Sequence, residues 1–575
     1  MSLMHRTIIA AFAVALTAVA AAAAPFGGAK VPDGVLNMLP DGAYVLAYTD
    51  SLQDFQKDLV TTVSDVEPQM AMMVAMAGPA AQLNMLIRKS SAGPGSAGVV
   101  LDGPVALFQA APATPDGDPI AGAVFEVADT TDLVVSRPGM FLVMSPGSKW
   151  VALANADFTP AGRTTSISNG MLDASLGVNV DQAKLVEVFG PQINTLLATM
   201  QQPLPEGSVP SEQAQAVERA QAANAAKLRM FLDMIASWNI GLDLHGAEID
   251  VLLRSTQTAG TPMVMPAGGL DGLTRSIPAD MPIRGVFDVS AVAMLMSMSQ
   301  SDIEAMPPAT RASLEKLQPV WDEAVASMKS GVSFGMSFGD KGIEMVSVMD
   351  TSDPDGVLNM VKRAWTALGE ADLGINVKPI RILAGTGVGY VVTIDAKRMM
   401  DTMGLGAMMP PASAGQPGSL EMMQGLCDSL TGPDGLPVRY FLQGDSVLSV
   451  IGNGRLGEAR RLWSSGGADN DLTTLLGESL APATWAMTMD VRRIADEGLA
   501  MARTMLGPLA AMLPTAVPDG NPVVMTMVGG SNGKTWDQVR VRTNLKDWYA
   551  MVQQMQTLAA QQAAASAPTA PAAGP

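Results

Sequence analysis

Apolar and polar residues alternate in many short segments of this chain, and several pairs of these segments are separated only by a tight turn. Such pairs occupy residues 239–254, 331–350, 438–453 and 523–543, with turns rich in Gly, Asp, Asn, Ser or Lys. Alternation bounded by turn residues is typical of β-hairpins. Because a hairpin requires antiparallel pairing, the pattern predicts antiparallel sheets.

A second pattern places an aspartate between the end of an apolar strand and the start of a helical periodicity. It occurs at five similarly spaced positions: Asp50, Asp181, Asp288, Asp395 and Asp490. A carboxylate at the N-cap accepts hydrogen bonds from amides of the first helical turn and offsets the positive helix end. We therefore predict that each aspartate caps a helix. The alternative, a ring of catalytic or metal-binding carboxylates, requires these positions of separate modules to converge.

Together the two patterns predict an α+β protein built from repeated modules. Each module is a strand, an Asp-capped helix, a second helix and a hairpin, with antiparallel sheets and helices covering one face of each sheet. In one predicted second helix, residues 225–238, an apolar face contains Leu228, Phe231, Leu232, Ile235 and Trp238.

The same patterns divide the chain into modules and terminal segments. We predict a signal peptide at 1–24, an extended first module at 25–165, four modules at 166–265, 266–372, 373–475 and 476–556, and a disordered Ala/Pro-rich tail at 557–575. The sequence leaves open whether the modules form one continuous sheet, and it leaves the oligomeric state open.

The N-terminal segment has the features of a secretory signal peptide. His5 and Arg6 precede an apolar stretch at residues 8–19, which a run of small alanines follows. We therefore expect export to the periplasm or the extracellular space. Residues 68–87 come nearest to the ~18–20 apolar residues that a membrane-spanning helix needs. Pro79 interrupts them, so no transmembrane segment is expected in the mature chain.

Composition narrows the classes of partner. The chain has 55 acidic against 36 basic residues and a net charge of −19, so a nucleic-acid backbone is repelled overall. A single cysteine, Cys427, excludes an internal disulfide. After signal removal His245 is the one remaining histidine, so ordinary zinc, haem and iron–sulfur sites are not expected, and we predict no cofactor.

Two serines match the hydrolase pattern G-x-S-x-G, namely Ser333 and Ser337. A nucleophile elbow needs a strand, a sharp turn at the serine and then a helix. Here the alternation runs straight through both serines into a hairpin turn, which indicates a strand with small residues on one side. A shorter motif, S-x-x-K at residues 313–316, lacks the companion motif of penicillin-binding enzymes. We predict no catalytic residue, although a carboxylate-dependent hydrolase needs no local motif.

Methionine is abundant, with 42 residues, and it clusters at residues 70–76 and 294–298. Thioethers bind Cu(I), but they more often serve as adaptable core packing or as a pliant apolar surface. We prefer the second interpretation for both clusters.

Three segments look like a recurring signature of Leu-Pro-Ala/Asp, a strand, an aspartate and a helix. They are LPDGAYVLAYTDSLQDF, SIPADMPIRGVFDVSAVAML and LAPATWAMTMDVRRIADEG. The signature resembles one of exported bacterial proteins of unknown function, over residues 38–555. The resemblance implies an envelope protein without a recognised activity, and it supplies no active site.

The sequence thus favours an exported, non-enzymatic protein of the cell envelope that binds an envelope protein or an apolar ligand through its modules. A sharper form of this hypothesis is a carrier for lipid or another hydrophobic molecule, held in a deformable groove. The alternative from a different class is a carboxylate-dependent hydrolase.

Overall fold

The computed structural model divides the chain into two compact units. Unit 1 contains residues 1–196, 229–262 and 534–546, and unit 2 contains residues 197–228, 263–533 and 547–575. The structure describes residues 28–566 except 94–95, 113, 115–116, 162–165, 169, 201–217, 219–220, 223–224, 227, 230–231, 259–269, 294–310, 313–314, 340–341, 371–372, 383–386, 403–418, 433, 467–470, 478–482, 507–515 and 532–535. The five-module division stays a prediction.

The strands of unit 1 form an antiparallel sheet and a small two-stranded sheet. They are β1 (Ala43–Thr49), β2 (Ile87–Lys89), β3 (Val105–Ala110), β4 (Ile120–Glu126), β5 (Leu133–Val135), β6 (Phe141–Met144), β7 (Trp150–Ala154), β8 (Leu176–Asp181), β9 (Ile235–His245), β10 (Glu248–Gln257) and β20 (Trp536–Asn544). The larger sheet has the order β6-β7-β4-β3-β1-β8-β9-β10-β20, and β2 pairs with β5.

Both faces of the larger unit 1 sheet are covered. The helices that begin in this unit before residue 545 are α1 (Asp33–Leu36), α2 (Leu52–Val66), α3 (Pro68–Ala77), α4 (Pro79–Leu86) and α5 (Gln182–Met200). On one face, Phe125 packs with Leu52 of α2 and Leu83 of α4. On the other face, the neighbouring Val124 packs with α1 and the short 3-10 helix Ser166–Ser168. Successive side chains of β4 thus point to opposite faces of the sheet and pack in two separate cores.

The strands of unit 2 also pair in antiparallel fashion. They are β11 (Ile283–Asp288), β12 (Met328–Gly339), β13 (Gly342–Thr351), β14 (Ile375–Ile380), β15 (Gly387–Ile394), β16 (Leu436–Gln443), β17 (Ser446–Ile451), β18 (Ala483–Asp490) and β19 (Val524–Ser531). The order is β14-β15-β16-β17-β13-β12-β11-β18-β19. Helices and antiparallel sheets together confirm the predicted α+β class.

Helices lie on both faces of the unit 2 sheet, which differs from the predicted single covered face. They are α6 (Asp271–Thr274), α7 (Gln318–Ser327), α8 (Pro354–Glu370), α9 (Ala396–Thr402), α10 (Ser419–Thr431), α11 (Leu456–Ser464), α12 (Asp471–Gly477) and α13 (Val491–Leu506), and α14 (Leu545–Ser566) follows β20. The core against α11 and α12 contains Leu448, whereas its neighbour Val447 packs toward α7 and α8. On the face toward α11 and α12, small residues such as Gly335 allow Ile277 and Met281 to approach the sheet closely.

Four of the five predicted aspartate caps are confirmed. The Oδ1 atoms of Asp181, Asp288, Asp395 and Asp490 accept hydrogen bonds from the amide three residues later, at 3.0, 2.7, 3.0 and 3.2 Å. At the first position the prediction was wrong, because Ser51 caps α2 and accepts the Asp54 amide at 3.0 Å. Asp50 instead accepts the hydroxyl of Tyr48.

Three predicted hairpins are present, and two other segments differ from expectation. The turns of β9–β10 and β16–β17 fall where the alternation is interrupted. Gly339 of β12 pairs with Gly342 of β13, and residues 340–341 between them lie outside the described residues. Ile235 and Trp238 belong to β9 instead of a helix, because β9 pairs with both β8 and β10. Helix α14 continues to Ser566, so the first part of the predicted disordered tail is helical. Alanine favours helix there, and the tail's prolines begin only at Pro568.

Within the described part of the chain, no helix is both long and apolar enough to cross a membrane.

Candidate functional site

Both serines of the hydrolase pattern lie in the middle of strand β12, as predicted. Ser333 is fully buried and donates its hydroxyl to the carbonyl of Leu273 at 2.7 Å. Ser337 is 3% exposed, and its Oγ has no hydrogen-bond partner among the residues that the structure describes. The alternate residues Phe334 and Met336 are only half-buried. The small side chains thus form the packed face of the strand, and neither hydroxyl is presented to solvent.

A buried polar network lies in unit 1, where β9, β10 and β20 pair. Asp243 and Asp250 are direct cross-strand neighbours, 5% and 0% exposed. Asp243 accepts the backbone N–H of Ser175 at 2.7 Å. Asp250 accepts the guanidinium of Arg540, whose Nε lies 2.8 Å and whose Nη2 lies 2.7 Å from its Oδ2. This burial makes the pair a structural element of the sheet, closed to a substrate in this structure.

Burial raises the pKa of the Asp243 carboxyl, and the charge of Asp250 adds to that rise. The Ser175 amide and His245, at the exposed β9–β10 turn, act in the opposite direction. Desolvation therefore determines that the net shift of the Asp243 pKa is upward, because it disfavours the charged carboxylate.

This raised pKa has a consequence for stability against pH. Because the folded state holds the Asp243 proton more tightly than the unfolded state, its ionisation destabilises the fold as pH rises above the unfolded pKa of about 3.9. The loss of stability is complete once the pH exceeds the pKa of Asp243 in the folded state. We expect Asp243→Asn to unfold at a higher temperature than wild type at pH 7, with the difference shrinking toward pH 4. Thermal unfolding measured across this range checks the prediction, and an Asn variant that is less stable at pH 7 would contradict it.

The methionine-rich segment at residues 68–87 forms helices α3 and α4 and exposes large apolar side chains. Pro68 and Pro79 each begin a helix, a position that suits a residue without an amide hydrogen, and Gly78 separates the two. The side chain of Gln56 on α2 accepts the Ala80 amide at 2.9 Å and holds the junction. The exposed fractions are 49% for Met70, 66% for Met72, 59% for Met73, 67% for Met76 and 52% for Met85. We call these five side chains the methionine surface.

The opposite side of α3 and α4 explains why they stay on unit 1. Ala71, Ala80 and Leu83 are buried, and Leu83 packs in the same core as Leu52 of α2. Residues 68–87 carry no charged side chain. The segment therefore presents thioethers to solvent on one side while small residues fit against the fold on the other. Contiguous exposed apolar side chains of this kind mark binding surfaces in soluble proteins.

A second apolar region lies on one face of the unit 2 sheet. Phe287 stacks on Phe334 with ring centroids 5.7 Å apart and on Trp485 at 6.2 Å. Half-buried methionines occupy paired positions of the same face: Met336, Met345, Met487, Met489, Met525 and Met527. This face is less completely covered than the opposite one, where Ser333 and Ser337 lie.

The other candidates from the sequence take different positions. Cys427 is buried, and its thiol pKa is raised by burial and by Asp428. Among the described residues, no cluster of His, Cys, Asp or Glu could hold a metal ion. Residues 294–298 lie outside the described residues, as do Ser313 and Leu314 of the S-x-x-K motif.

Comparisons with known proteins add little to this description. No family model matches the chain, and no curated protein matches it significantly, which agrees with a resemblance to proteins without a characterised family. The chain is similar to crystal form III of TP0453, at 9% identity and a TM-score of 0.24, over 49% of this chain and 97% of that one. Crystal form I of TP0453 is similar at 8% identity and a TM-score of 0.23, over 50% of this chain and 99% of that one. Neither likeness is close enough to assign a fold or a function.

Sequence reasoning found residues 70–76 but could not decide which methionines face solvent. It missed the Asp243, Asp250 and Arg540 network. A signal was present, since each of these charged residues stands between two apolar neighbours, but Arg540 follows Asp250 by 290 positions.

Proposed function

We propose that this chain is an exported, non-enzymatic envelope protein that binds an apolar ligand or partner through the methionine surface. The observation that carries the proposal is the exposure of five methionines on a helical segment without charge. Methionine suits this role because its thioether is polarizable and its three rotatable bonds adapt to irregular apolar shapes.

Alternative uses of the same methionines have less support. Core packing requires burial, but Met72 and Met76 are each about two-thirds exposed, at 66% and 67%. A carrier for lipid or another hydrophobic molecule is the narrower form of the proposal, and the half-buried aromatic and methionine face of unit 2 favours it. The exported location rests on the N-terminal segment, with its basic start, apolar stretch and alanine run.

The proposal is tested by native mass spectrometry of the exported, purified full chain, followed by solvent extraction and identification of released molecules. We expect a stoichiometric apolar adduct on wild type. The double variant Met72→Asp/Met76→Asp should fold, because both side chains point to solvent, and should lose at least about nine-tenths of the adduct. Circular dichroism and thermal unfolding establish that it folds.

A matched control places the same two charges on exposed polar positions nearby, as Ser64→Asp/Gln69→Asp. This variant should keep the adduct. An adduct of unchanged occupancy on the methionine variant, or the absence of any adduct or apolar partner on wild type, contradicts the proposal.

A further inference from the structure

Unit 2 contains an open cleft between the end of strand β16 and helix α11. Its volume is about 440 Å³, within the range of roughly 300–1,000 Å³ that small-molecule sites occupy. Its lining consists of Phe441, Leu442, Gln443, Gly457, Arg460, Arg461, Trp463 and Ser464. The only charged side chains among them are the two arginines.

The two arginines are not neutralised within the described part of the chain. Neither Arg460 nor Arg461 forms an ion pair with a described residue, although the chain has a net charge of −19. The nearby acids already have other partners. Glu458 accepts Arg455 at 3.0 Å, and Asp445 pairs with Lys329. Both residues line the cleft, and neither guanidinium is paired with an acid of the described residues.

Aromatic side chains sit beside these charges. The guanidinium carbon of Arg460 lies 4.8 Å from the centroid of the Phe441 ring, a cation–π contact that fixes its position. Phe441 is itself buried, and the half-buried Trp463 packs against the same core. The half-buried indole of Trp463 next to two fork-shaped donors fits a ligand with a planar or apolar part and an oxyanion.

We infer that this cleft binds a small organic anion in which a carboxylate or phosphate group is joined to an apolar or aromatic part. The oxyanion pairs with Arg460 and Arg461, and the apolar part lies against Trp463. This site concerns unit 2 and does not depend on the methionine surface.

Isothermal titration calorimetry of the full chain with phenyl phosphate, benzoate and inorganic phosphate tests the inference. We expect saturable binding of phenyl phosphate or benzoate, tighter than that of inorganic phosphate and weaker at high salt. The variant Arg460→Gln/Arg461→Gln should weaken binding at least about tenfold. Arg460→Lys/Arg461→Lys should weaken it less, because lysine keeps the charge but loses the fork.

The matched control is Arg363→Gln, an exposed arginine of unit 2 that does not line the cleft. The affinity of this variant for phenyl phosphate and benzoate should equal that of wild type. Absence of saturable binding of both organic anions, equal affinity for inorganic phosphate, or equal weakening by Arg363→Gln overturns the inference. The single variants Arg460→Gln and Arg461→Gln keep the test decisive if the double variant fails to fold.

Discussion

Replacing Arg540 with methionine is expected to destabilise unit 1 by about 3–5 kcal/mol, because the change leaves a buried carboxylate without its cation. Asp250 is fully buried and Arg540 is 8% exposed, so water cannot replace the lost guanidinium at little cost. Both donor contacts of the guanidinium, at 2.7 and 2.8 Å, go to the same oxygen of Asp250. The pair also joins β20 to β10, strands that lie far apart in sequence.

Urea unfolding followed by circular dichroism measures this loss. Two further variants distinguish the contribution of the buried Asp250–Arg540 pair from the general effect of removing a charged residue. Asp250→Asn/Arg540→Met should cost less than Arg540→Met alone, because residue 250 then carries no charge that has lost Arg540. Lys329→Met breaks the exposed pair with Asp445 and should cost at most about 1 kcal/mol. If Arg540→Met costs no more than Lys329→Met, the buried pair has no special role in stability.

Replacing Gly331 with alanine is expected to destabilise unit 2 by about 2–4 kcal/mol. Gly331 has φ +154°, and a Cβ atom there would lie 2.0 Å from the carbonyl oxygen of Phe287 and 2.7 Å from Cα of Asp288. The obstructing atoms are backbone, which cannot turn away as a side chain can. They belong to β11 at the point where Asp288 begins to cap the next helix, so relief of the clash disturbs both the strand pair and the cap.

Gly498 provides the matched control, since it lies inside helix α13 and a Cβ atom there meets nothing within 4 Å. The same change at Gly498 should stabilise the protein by about 0.5–1 kcal/mol, because alanine loses less backbone freedom on folding. Thermal unfolding of both variants gives the comparison. Equal melting temperatures for Gly331→Ala and wild type would show that β11 and β12 can separate at this point without cost.

Local signals predicted several elements correctly because their causes lie within a few residues. The cap at Asp288 needs only the amide of Ala291, and the β16–β17 turn needs only its own glycine and aspartate. Where two local signals competed, the prediction was less reliable. Ser51 and Asp50 could both cap α2, and Ser51 does so because the hydroxyl of Tyr48 holds Asp50.

Where a local pattern is compatible with both a helix and a strand, pairing partners that are distant in sequence determine which one forms. Leu232 is helical, but Ile235 begins β9 because strands on both sides supply hydrogen bonds. The same limitation applied to methionine, which is equally suited to a core and to a surface.

By itself the sequence determined the α+β class, three of the hairpins and the helix starts at four aspartates, since each depends on alternation, turn residues and caps that act over short distances. Only the tertiary structure decided which side chains are buried. It turned the small residues of β12 into a packed face, left Met72 and Met76 in solvent, and brought Arg540 to Asp250. Burial depends on which distant segment covers a residue, and no local pattern encodes that choice.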